Sequence, residues 1–575
     1  MTDQNWKIRS TLPALVVATL LPLTAMAPAF RGGLIVAADT QLHLHRIYAM
    51  ATLIADGQLY PRWVPWFYLG YGYPVFNFYP PVSTYLGGLL VLLGLTPQVA
   101  FILLLAASWM LGSLGMFLLA RLFFRVEGAF IAALLWSYAP ARLNEIWQQG
   151  SLPQALAVAL VPWGLWALVR TLRKPSTPNM LVLAVIYSLL LLTHQPTTLL
   201  ATIFFVPFSL IYWLYIGHSE GRVHLINATG RIIGAGTLTV GLCAFYLIPL
   251  AVEVQHVQID DLAADVLGIV QANFYTLNDL FTQPPAPDLT DLSRGIPISY
   301  GLLTGVLGAI GVAALLLNRR WWLAGALCMT LLLGIFLMTR ESFFIWRDAP
   351  FMAELRYPRR VIYTHVTFFA LAGGAITLLF PAGWRRTLTA ITALIILIAT
   401  LPILNPNFQK IDPTHPIDAA AALIYEREVG ALGTVSYNEF TPNYGRNIPT
   451  DLPTNLPTYA EHPQRLYLTE PDDLTISRLD DAHWEITAMT PTTLTVRQFY
   501  FPGWHASING EPIPIMPDPQ HGQITISLPA GTHMVDLRYT STRAQQIGTA
   551  ITGATLLIML GLAIVYWRQH AQSGH

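Results

Sequence analysis

Long apolar runs are the feature that most restricts how this 575-residue chain can fold. About 20 apolar residues in an α-helix cross a membrane core of ~30 Å. Only 11% of the residues are charged, whereas soluble domains have roughly 25%. We therefore predict a polytopic α-helical membrane protein of about twelve spans. The predicted spans are 11–30, 98–120, 127–141, 153–171, 178–194, 197–216, 232–252, 300–318, 321–339, 361–381, 387–404 and 546–567.

The positions of the basic residues predict which side of the membrane each loop faces, because Lys and Arg concentrate in short cytoplasmic loops. With Lys7 and Arg9 inside, every later inner turn is also basic, whereas counting 82–95 as a span would place those turns outside. We therefore predict two cytoplasmic termini and a juxtamembrane helix at 82–95. The basic inner turns contain Arg121, Arg125, Arg170, Arg173, Lys174, Arg222, Arg231, Arg319, Arg320, Arg385, Arg386 and Arg568.

A long polar insert precedes the last predicted span and lies on the outer side in this topology. Segment 492–501 alternates apolar and polar residues, as a half-buried strand does, and Asn509-Gly510 is a hairpin-turn dipeptide. We predict a small extracytoplasmic antiparallel β domain here, serving as an inert cap or as a lid that binds sugar or acceptor. The predicted domains are a transmembrane domain at 1–404, the β domain at 405–545, and a final helix with a short cytoplasmic tail at 546–575.

The outer loop 31–81 combines ionisable and aromatic residues more densely than almost any other segment. Asp39 precedes His43 by four residues, and positions i and i+4 share one face of a helix. This pair can act as a general base with its partner, or supply metal ligands. The alternative is a helix-capping Asp in a solvated interfacial loop. The loop also supplies four predicted substrate-binding residues, His45, Arg46, Asp56 and Arg62.

Two other outer segments carry polar residues beside apolar helices. Arg142 and Glu145 can contact a donor phosphate or sugar hydroxyls, or can belong to a plain connector. His194 interrupts two very apolar helices near the outer surface. An ionisable group at that depth is costly and marks a functional site by default, although a tight helical turn is the alternative. We predict that all three residues bind substrate.

Arg356, Arg359 and Arg360 lie at the outer entry to a span, where the sidedness rule disfavours arginine. Guanidinium groups bind phosphate through paired hydrogen bonds, so this cluster predicts an anionic lipid-phosphate substrate. The alternative is that the three residues anchor lipid headgroups.

An acidic cluster follows another predicted membrane exit. Clustered carboxylates can bind a divalent ion or can simply be solvated. Its members are Glu253, His256, Asp260, Asp261 and Asp265. Whether the protein uses a divalent metal cofactor therefore stays open, and the candidate ligands are Asp39, His43, Glu253 and His256.

Several function classes are not supported. The sequence has no glycine-rich phosphate loop, Walker pattern, zinc-finger spacing or nucleophile elbow. The formal net charge is zero, so no overall field attracts nucleic acid. Cys243 and Cys328 lie in apolar stretches and do not indicate a disulfide framework. We therefore expect the lipid bilayer, and no nucleic acid, among the partners.

The order of these motifs resembles the GT-C superfamily of integral-membrane glycosyltransferases. More closely, it is similar to bacterial YfhO-like proteins and to "6-pyruvoyl-tetrahydropterin synthase-related" membrane proteins. The motifs that carry the resemblance are Asp39 with His43, then 56–63, 71–81, 356–360, 501–510 and 528–533. The pterin-related name implies no pterin chemistry, because the chain lacks a zinc-binding histidine set.

This resemblance implies transfer of a sugar from a polyprenyl-phosphate donor to a glycan or lipid acceptor of the cell envelope. The enzyme would lie in the plasma membrane, with Asp39 as catalytic base or metal ligand and His43 as its partner. Some superfamily members have paired acidic residues where this chain has Asp39-Thr40, which leaves metal dependence open. A transporter or flippase of a lipid-linked intermediate and a non-catalytic membrane scaffold are the alternatives.

Overall fold

A computed structural model shows how the predicted segments are arranged. It describes residues 8–32, 37–258, 266–283, 298–404, 416–435, 439–447, 449–453, 456–469 and 474–572. Helices dominate up to residue 404, and strands dominate the segment from 468 to 539. The polytopic helical fold with an antiparallel β domain is therefore confirmed.

The first half of the chain is helical almost throughout. Apolar composition favours these helices in the membrane, and many begin with proline in the first turn, where its missing N–H costs nothing. The helices are α1 (Ile8–Leu20), α2 (Ala27–Gly32), α3 (Thr40–Ala55), α4 (Val75–Phe78), α5 (Val82–Leu92), α6 (Pro97–Arg121), α7 (Val126–Ser137), α8 (Pro140–Asn144), α9 (Leu152–Arg173), α10 (Thr177–Thr193), α11 (Gln195–Glu220), α12 (Arg222–Leu242) and α13 (Ala244–Glu253).

The second half contains further long helices, two short helices close to the β domain, and the final helix. The helices are α14 (Val266–Ala272), α15 (Leu277–Phe281), α16 (Leu302–Leu317), α17 (Trp321–Met338), α18 (Phe343–Asp348), α19 (Arg360–Gly374), α20 (Arg385–Thr400), α21 (Ala419–Val429), α22 (Leu456–Glu461) and α23 (Arg543–Gln572). Each predicted span coincides with one or more of these helices.

Seven helices in the described part of the chain are long and apolar enough to cross a membrane. The pair α12 and α13, which bends by 65°, makes an eighth if it forms one span. Shorter apolar helices occupy the other predicted spans, and the eleven-residue α5 occupies the predicted juxtamembrane segment. The count of twelve spans therefore stays a prediction.

The β domain consists of two antiparallel sheets. One has the strand order β1-β4-β8-β7, and the other has the order β2-β3-β9-β5-β6. Asn509 and Gly510, with φ of 53° and 85°, form the tight turn between β5 and β6. The strands are β1 (Leu468–Thr469), β2 (Leu474–Arg478), β3 (His483–Ala488), β4 (Thr492–Phe499), β5 (Trp504–Ile508), β6 (Glu511–Ile513), β7 (Met516–Pro517), β8 (Gln523–Leu528) and β9 (Gly531–Tyr539).

The aromatic residues of the outer loop pack against the β domain in one hydrophobic core. The Trp63 ring contacts the rings of Trp504 and Tyr539, and its Nε1 donates a hydrogen bond of 2.8 Å to Gln498 Oε1. The backbone N–H of Phe499 donates to Tyr71 O at 2.6 Å. Many of these aromatics are therefore core residues rather than an interfacial belt, and they fix the β domain above the helices.

Candidate functional site

One cavity of about 250 Å³ joins five of the predicted site residues. They are Asp39, His194, Arg356, Arg359 and Arg360, which come from three separate parts of the sequence. The complete lining is Asp39, Phe78, Tyr79, Pro80, Gln149, Ser151, Gln154, His194, Gln195, Pro196, Arg356, Tyr357, Arg359, Arg360, Tyr363, Glu439 and Phe440.

Four helices begin at this cavity. Their N-cap residues, Asp39 for α3, Ser151 for α9, His194 for α11 and Arg359 for α19, all line it. The first turn of a helix has N–H groups without intrahelical acceptors, and its dipole is positive at that end. Four such ends and three arginines are groups that attract an anion, and the same lining also contains the carboxyl groups of Asp39 and Glu439.

Asp39 occupies the N-cap position that the alternative interpretation assigned to it. Its side chain nevertheless makes no capping hydrogen bond. Its backbone N–H donates to Gln149 O at 2.9 Å, which holds the residue at the cavity. Burial raises the pKa of the Asp39 carboxyl, Arg46 and Arg360 lower it in part, and Glu439 adds to the increase. The carboxylate is thus placed to accept a proton within the cavity.

The arginine segment surrounds the ring of Tyr357. The guanidinium carbon of Arg359 lies 4.5 Å from the ring centre and that of Arg360 lies 5.2 Å from it. Arg359 Nη1 also donates to Asn273 Oδ1 at 3.3 Å. Arg356 has a φ of 59°, a conformation that is uncommon for a residue other than glycine and that clusters at functional sites.

His194 both forms a tight helical turn and lies at the candidate site, which are the two alternatives that the sequence left open. Its Nδ1 lies 2.8 Å from Thr197 Oγ1 and accepts the Thr197 backbone N–H, so the side chain caps α11. It also lines the cavity beside Gln195 and Pro196. The tight turn between α10 and α11 therefore brings the histidine to the site.

The other ionisable residues in the first turns of α3 lie behind the cavity wall. His43 is buried against the rings of Phe101 and Tyr79, and His45 is buried against Tyr425. Burial lowers the pKa of His43 far below its usual value and lowers the pKa of His45 to about 4. Burial therefore disfavours the protonated form of both imidazoles, and neither lines the cavity.

Arg46 supports a wall residue from behind. Its guanidinium carbon lies 3.9 Å from the centre of the Tyr79 ring, and its Nε donates to Thr434 O at 2.9 Å. Tyr79 lines the cavity, whereas Arg46 does not. Arg46 therefore contacts the protein outside the cavity lining, and its contact with substrate stays a prediction.

Asp56 and Arg62 are also remote from the lining. Asp56 is exposed at the far end of the 16-residue helix α3, ~24 Å along the helix from Asp39. Arg62 donates to Asn77 Oδ1 and to Phe245 O, each at 2.8 Å. These contacts join the outer loop to α13.

Arg142 and Glu145 form a fully buried ion pair outside the cavity lining. The Arg142 guanidinium carbon lies 4.3 Å from the Trp136 ring centre and 4.9 Å from that of Trp109. Glu145 begins a π-helical turn, Glu145–Gln149, and such turns are frequent at functional sites.

This π-helical turn positions the part of the cavity wall that contains Asp39. The carbonyl groups of Gln148 and Gln149 accept the backbone N–H groups of Ala38 and Asp39, each at 2.9 Å. On the other side, Tyr363 of α19 donates from its hydroxyl to Asn144 Oδ1 at 3.0 Å. The segment containing the ion pair therefore connects Asp39 with the helix that follows the arginines.

The candidate metal ligands are not gathered in one place. The Glu253 carboxylate accepts hydrogen bonds from Asn77 at 2.6 Å and from Gln545, and His256 Nδ1 lies 2.6 Å from the Tyr444 hydroxyl. Within the described ranges, no three His, Cys, Asp or Glu side chains are arranged to hold a metal ion. Asp260, Asp261 and Asp265 lie outside the described residues. Among the described residues, Asp39, His43, Glu253 and His256 are therefore not brought together as one set of metal ligands.

Several lining residues were not predicted as site residues. Glu439 lies 400 positions after Asp39 in a polar insert, and no local pattern marks it. Gln154 and Ser151 flank the start of an apolar helix, which is a detectable but unspecific signal. Tyr363 belongs to an apolar helix whose orientation the sequence does not reveal.

A family model for the 6-pyruvoyl-tetrahydropterin synthase related domain, described as a membrane protein, matches residues 76–411. A Lactococcus lactis subsp. cremoris protein, described as uncharacterized, is 23% identical over 244 residues. That match covers 41% of this chain and 39% of the relative, so the chain spans well under two thirds of the relative's length.

Three solved structures are partial matches to this chain. The archaeal oligosaccharyltransferase AglB from Archaeoglobus fulgidus, in complex with an inhibitory peptide and a dolichol-phosphate, is 16% identical with a TM-score of 0.40, covering 74% of this chain and 58% of that one. The arabinofuranosyltransferase AftD from Mycobacteria is 20% identical with a TM-score of 0.39, covering 68% and 26%. ArnT from Cupriavidus metallidurans, bound to undecaprenyl phosphate, is 12% identical with a TM-score of 0.34, covering 81% and 86%.

Proposed function

The chain belongs to the 6-pyruvoyl-tetrahydropterin synthase related membrane proteins, as its motifs predicted, and we propose that it is a membrane glycosyltransferase. It transfers a sugar from a polyprenyl-phosphate donor to a glycan or lipid acceptor outside the cytoplasm. The observation that carries this proposal is the single cavity that joins Asp39 to Arg356, Arg359 and Arg360. The proposal that the donor is a polyprenyl-phosphate sugar comes from the resemblance of the motifs to GT-C glycosyltransferases.

The arginines and the helix ends hold the donor phosphate. Guanidinium groups pair with phosphate oxygens, and helix N-termini favour the same charge. When the bond between the anomeric carbon and the phosphate oxygen breaks, the electron pair remains on the lipid phosphate. Charge placed beforehand around a departing phosphate stabilises the transition state more than the ground state.

Asp39 acts as the general base. The acceptor hydroxyl gives its proton to the Asp39 carboxylate while its oxygen forms a bond to the anomeric carbon. The raised pKa of Asp39 brings its proton affinity closer to the working pH, as general-base catalysis requires. His43, which the sequence predicted as the partner of this base, packs against the wall residue Tyr79 and does not line the cavity.

The position of the cavity supports an extracytoplasmic site. Its lining comes from the opening loop and from the segments near 150, 195 and 357, which the basic-loop pattern places on the outer face. At the predicted inner turns, Arg173 donates to Leu122 O at 2.7 Å and Arg320 donates to Phe123 O at 2.7 Å. Predicted outer segments thus meet one another, and so do predicted inner segments.

The test is sugar transfer by the purified full-length protein in lipid nanodiscs, with radiolabelled polyprenyl-phosphate sugars as donors and envelope glycans as acceptors. Asp39→Asn should lower the rate at least ~100-fold, because general bases contribute 10²–10⁴-fold. Arg359→Gln should lower it about 10- to 100-fold, because a hydrogen bond to a charged group contributes about 1.5–3 kcal/mol.

Asp348→Asn and Arg347→Gln provide matched controls, since these residues form an exposed ion pair away from the cavity. Both controls should transfer sugar at the wild-type rate. Wild-type rates in Asp39→Asn and Arg359→Gln would contradict the proposal. Movement of the labelled lipid across the bilayer without transfer would favour a transporter instead.

A further inference from the structure

One part of the cavity wall carries no charged side chain. Gln149, Ser151 and Gln154, which we call the neutral wall, line the cavity at and just before the start of α9. The guanidinium groups line it from the segment that leads into α19. The cavity lining therefore combines charged side chains, which are three arginines, Asp39 and Glu439, with polar side chains that carry no charge.

Gln154 is the member of the neutral wall that has a buried donor without a partner. The residue is only 7% exposed, and its Nε2 has no hydrogen-bond partner among the described residues. A buried amide nitrogen without an acceptor is costly, and nearly all such groups in native proteins are paired. Because Gln154 lines the cavity, an acceptor atom of a bound ligand can provide the missing partner.

The start of α9 points to the same kind of ligand. Ser151 makes no side-chain capping bond, and Pro153 has no N–H group. The N–H groups of Leu152 and Gln154 lie in the first turn, where the helix supplies no acceptor. The helix itself therefore supplies no acceptor for these two N–H groups at its start.

We infer, resting on the proposed function, that the neutral wall binds the hydroxyl groups of the donor sugar, with Gln154 donating to a sugar oxygen. A side-chain amide can donate and accept, which matches a hydroxyl group. Phosphate is better matched by the arginines. Because Gln149 O holds the Asp39 N–H at 2.9 Å, the sugar wall and the base are fixed relative to each other.

The experiment measures binding of two kinds of probe to the full-length protein in nanodiscs. One probe is farnesyl phosphate, and the other is farnesyl phosphate carrying mannose, glucose, galactose or arabinose. The variants are Gln154→Leu, Gln154→Met and Arg359→Gln. The two Gln154 variants lack the side-chain N–H group that donates the proposed hydrogen bond. Gln546→Leu replaces an exposed glutamine of α23 and serves as the control. Thermal unfolding verifies that each variant folds.

Both Gln154 variants should weaken the best-binding sugar probe about fivefold to tenfold, the effect of one lost hydrogen bond. They should change farnesyl phosphate binding less than twofold. Arg359→Gln should weaken both probes, and Gln546→Leu neither.

Equal weakening of both probes by the Gln154 variants would place phosphate at the neutral wall, and no weakening of either would remove its binding role. Both results overturn this inference while the Arg359 result still supports the proposed function. If no probe binds the wild-type protein, the proposed function fails and this inference fails with it.

Discussion

Replacing Glu426 by Gln should remove a pH dependence of stability that we expect in the wild-type protein. Glu426 lies in α21 and is fully buried. The two oxygens of its carboxyl group accept the backbone N–H groups of Tyr68 at 3.0 Å and Leu69 at 2.7 Å. Tyr68 and Leu69 have φ of 57° and 55°, so this carboxyl group holds a turn that is unfavourable for both residues.

The magnitude follows from the pKa of Glu426. Burial raises it from 4.5 to about 8, although backbone N–H groups oppose the increase. The two values differ by about 3.5, and each pKa unit corresponds to about 1.36 kcal/mol, which gives about 5 kcal/mol.

The sign follows from proton binding. Between pH 4.5 and 8 the folded protein holds a proton on Glu426 that the unfolded chain has lost. Stability is therefore highest below pH 4.5 and decreases as the pH rises to about 8.

Hydrogen exchange of the Tyr68 and Leu69 amides, corrected for intrinsic exchange rates, measures this stability locally. In the wild-type protein, protection should decrease by roughly three orders of magnitude between pH 4.5 and 8. Glu426→Gln cannot ionise, so its protection should be nearly constant, although lower at acidic pH because an amide nitrogen cannot accept an N–H group. The control is Glu428→Gln, an exposed residue on the same helix, which should behave as wild type.

Two results would refute this reasoning. One is a pH slope in Glu426→Gln equal to that of the wild-type protein, which would assign the dependence to another group. The other is wild-type protection that increases with pH, which would mean that the four backbone N–H groups dominate over burial. The predicted loss of protection would also be relevant to the cavity. Thr434, in the adjoining turn, accepts a hydrogen bond from Arg46, and Arg46 packs against the cavity residue Tyr79.

Two further predictions concern buried contacts. Arg142→Met leaves Glu145 buried without its partner and should cost about 3–5 kcal/mol, whereas combining it with Glu145→Leu should recover much of this loss. Thermal unfolding of the single and double variants measures the coupling, and equal losses in both would contradict it. Gly72→Ala places a Cβ against Gln498 at a φ of 76°, so we expect faster proteolysis between the outer loop and the β domain. Gly94→Ala, with open space at a similarly positive φ, should cause strain without this clash.

The helices and strands were predictable because their signals are local. Apolar runs of spanning length located the helices, and alternation with the Asn509-Gly510 turn located part of the β domain. The aromatic residues of the outer loop were harder to interpret. An interfacial belt and a buried core have the same composition, and only the packing of Trp63 and Tyr71 against β-domain residues distinguished them.

Site residues could be predicted where charged side chains lie in a part of the chain that disfavours their charge. Arg356, Arg359 and Arg360 stood out because arginine is disfavoured at an outer membrane entry, and all three line the cavity. Arg142 and Glu145 stood out for a similar reason, yet they neutralise each other within the core. A sequence shows that a charge is present in an apolar region, but not whether its partner is a ligand or another residue.

A helical membrane protein with a polar β insert could be predicted from the amino-acid sequence, because hydrophobic length and strand alternation depend on neighbouring residues. The sequence also marked Asp39 as a residue of interest. The cavity that Asp39 shares with the arginines, His194, Gln154 and Glu439 became visible in the three-dimensional arrangement of the helices. The same arrangement packs His43 in the core instead. Helix N-termini far apart in the sequence meet through packing of whole helices, and that packing depends on long-range contacts that no local pattern encodes.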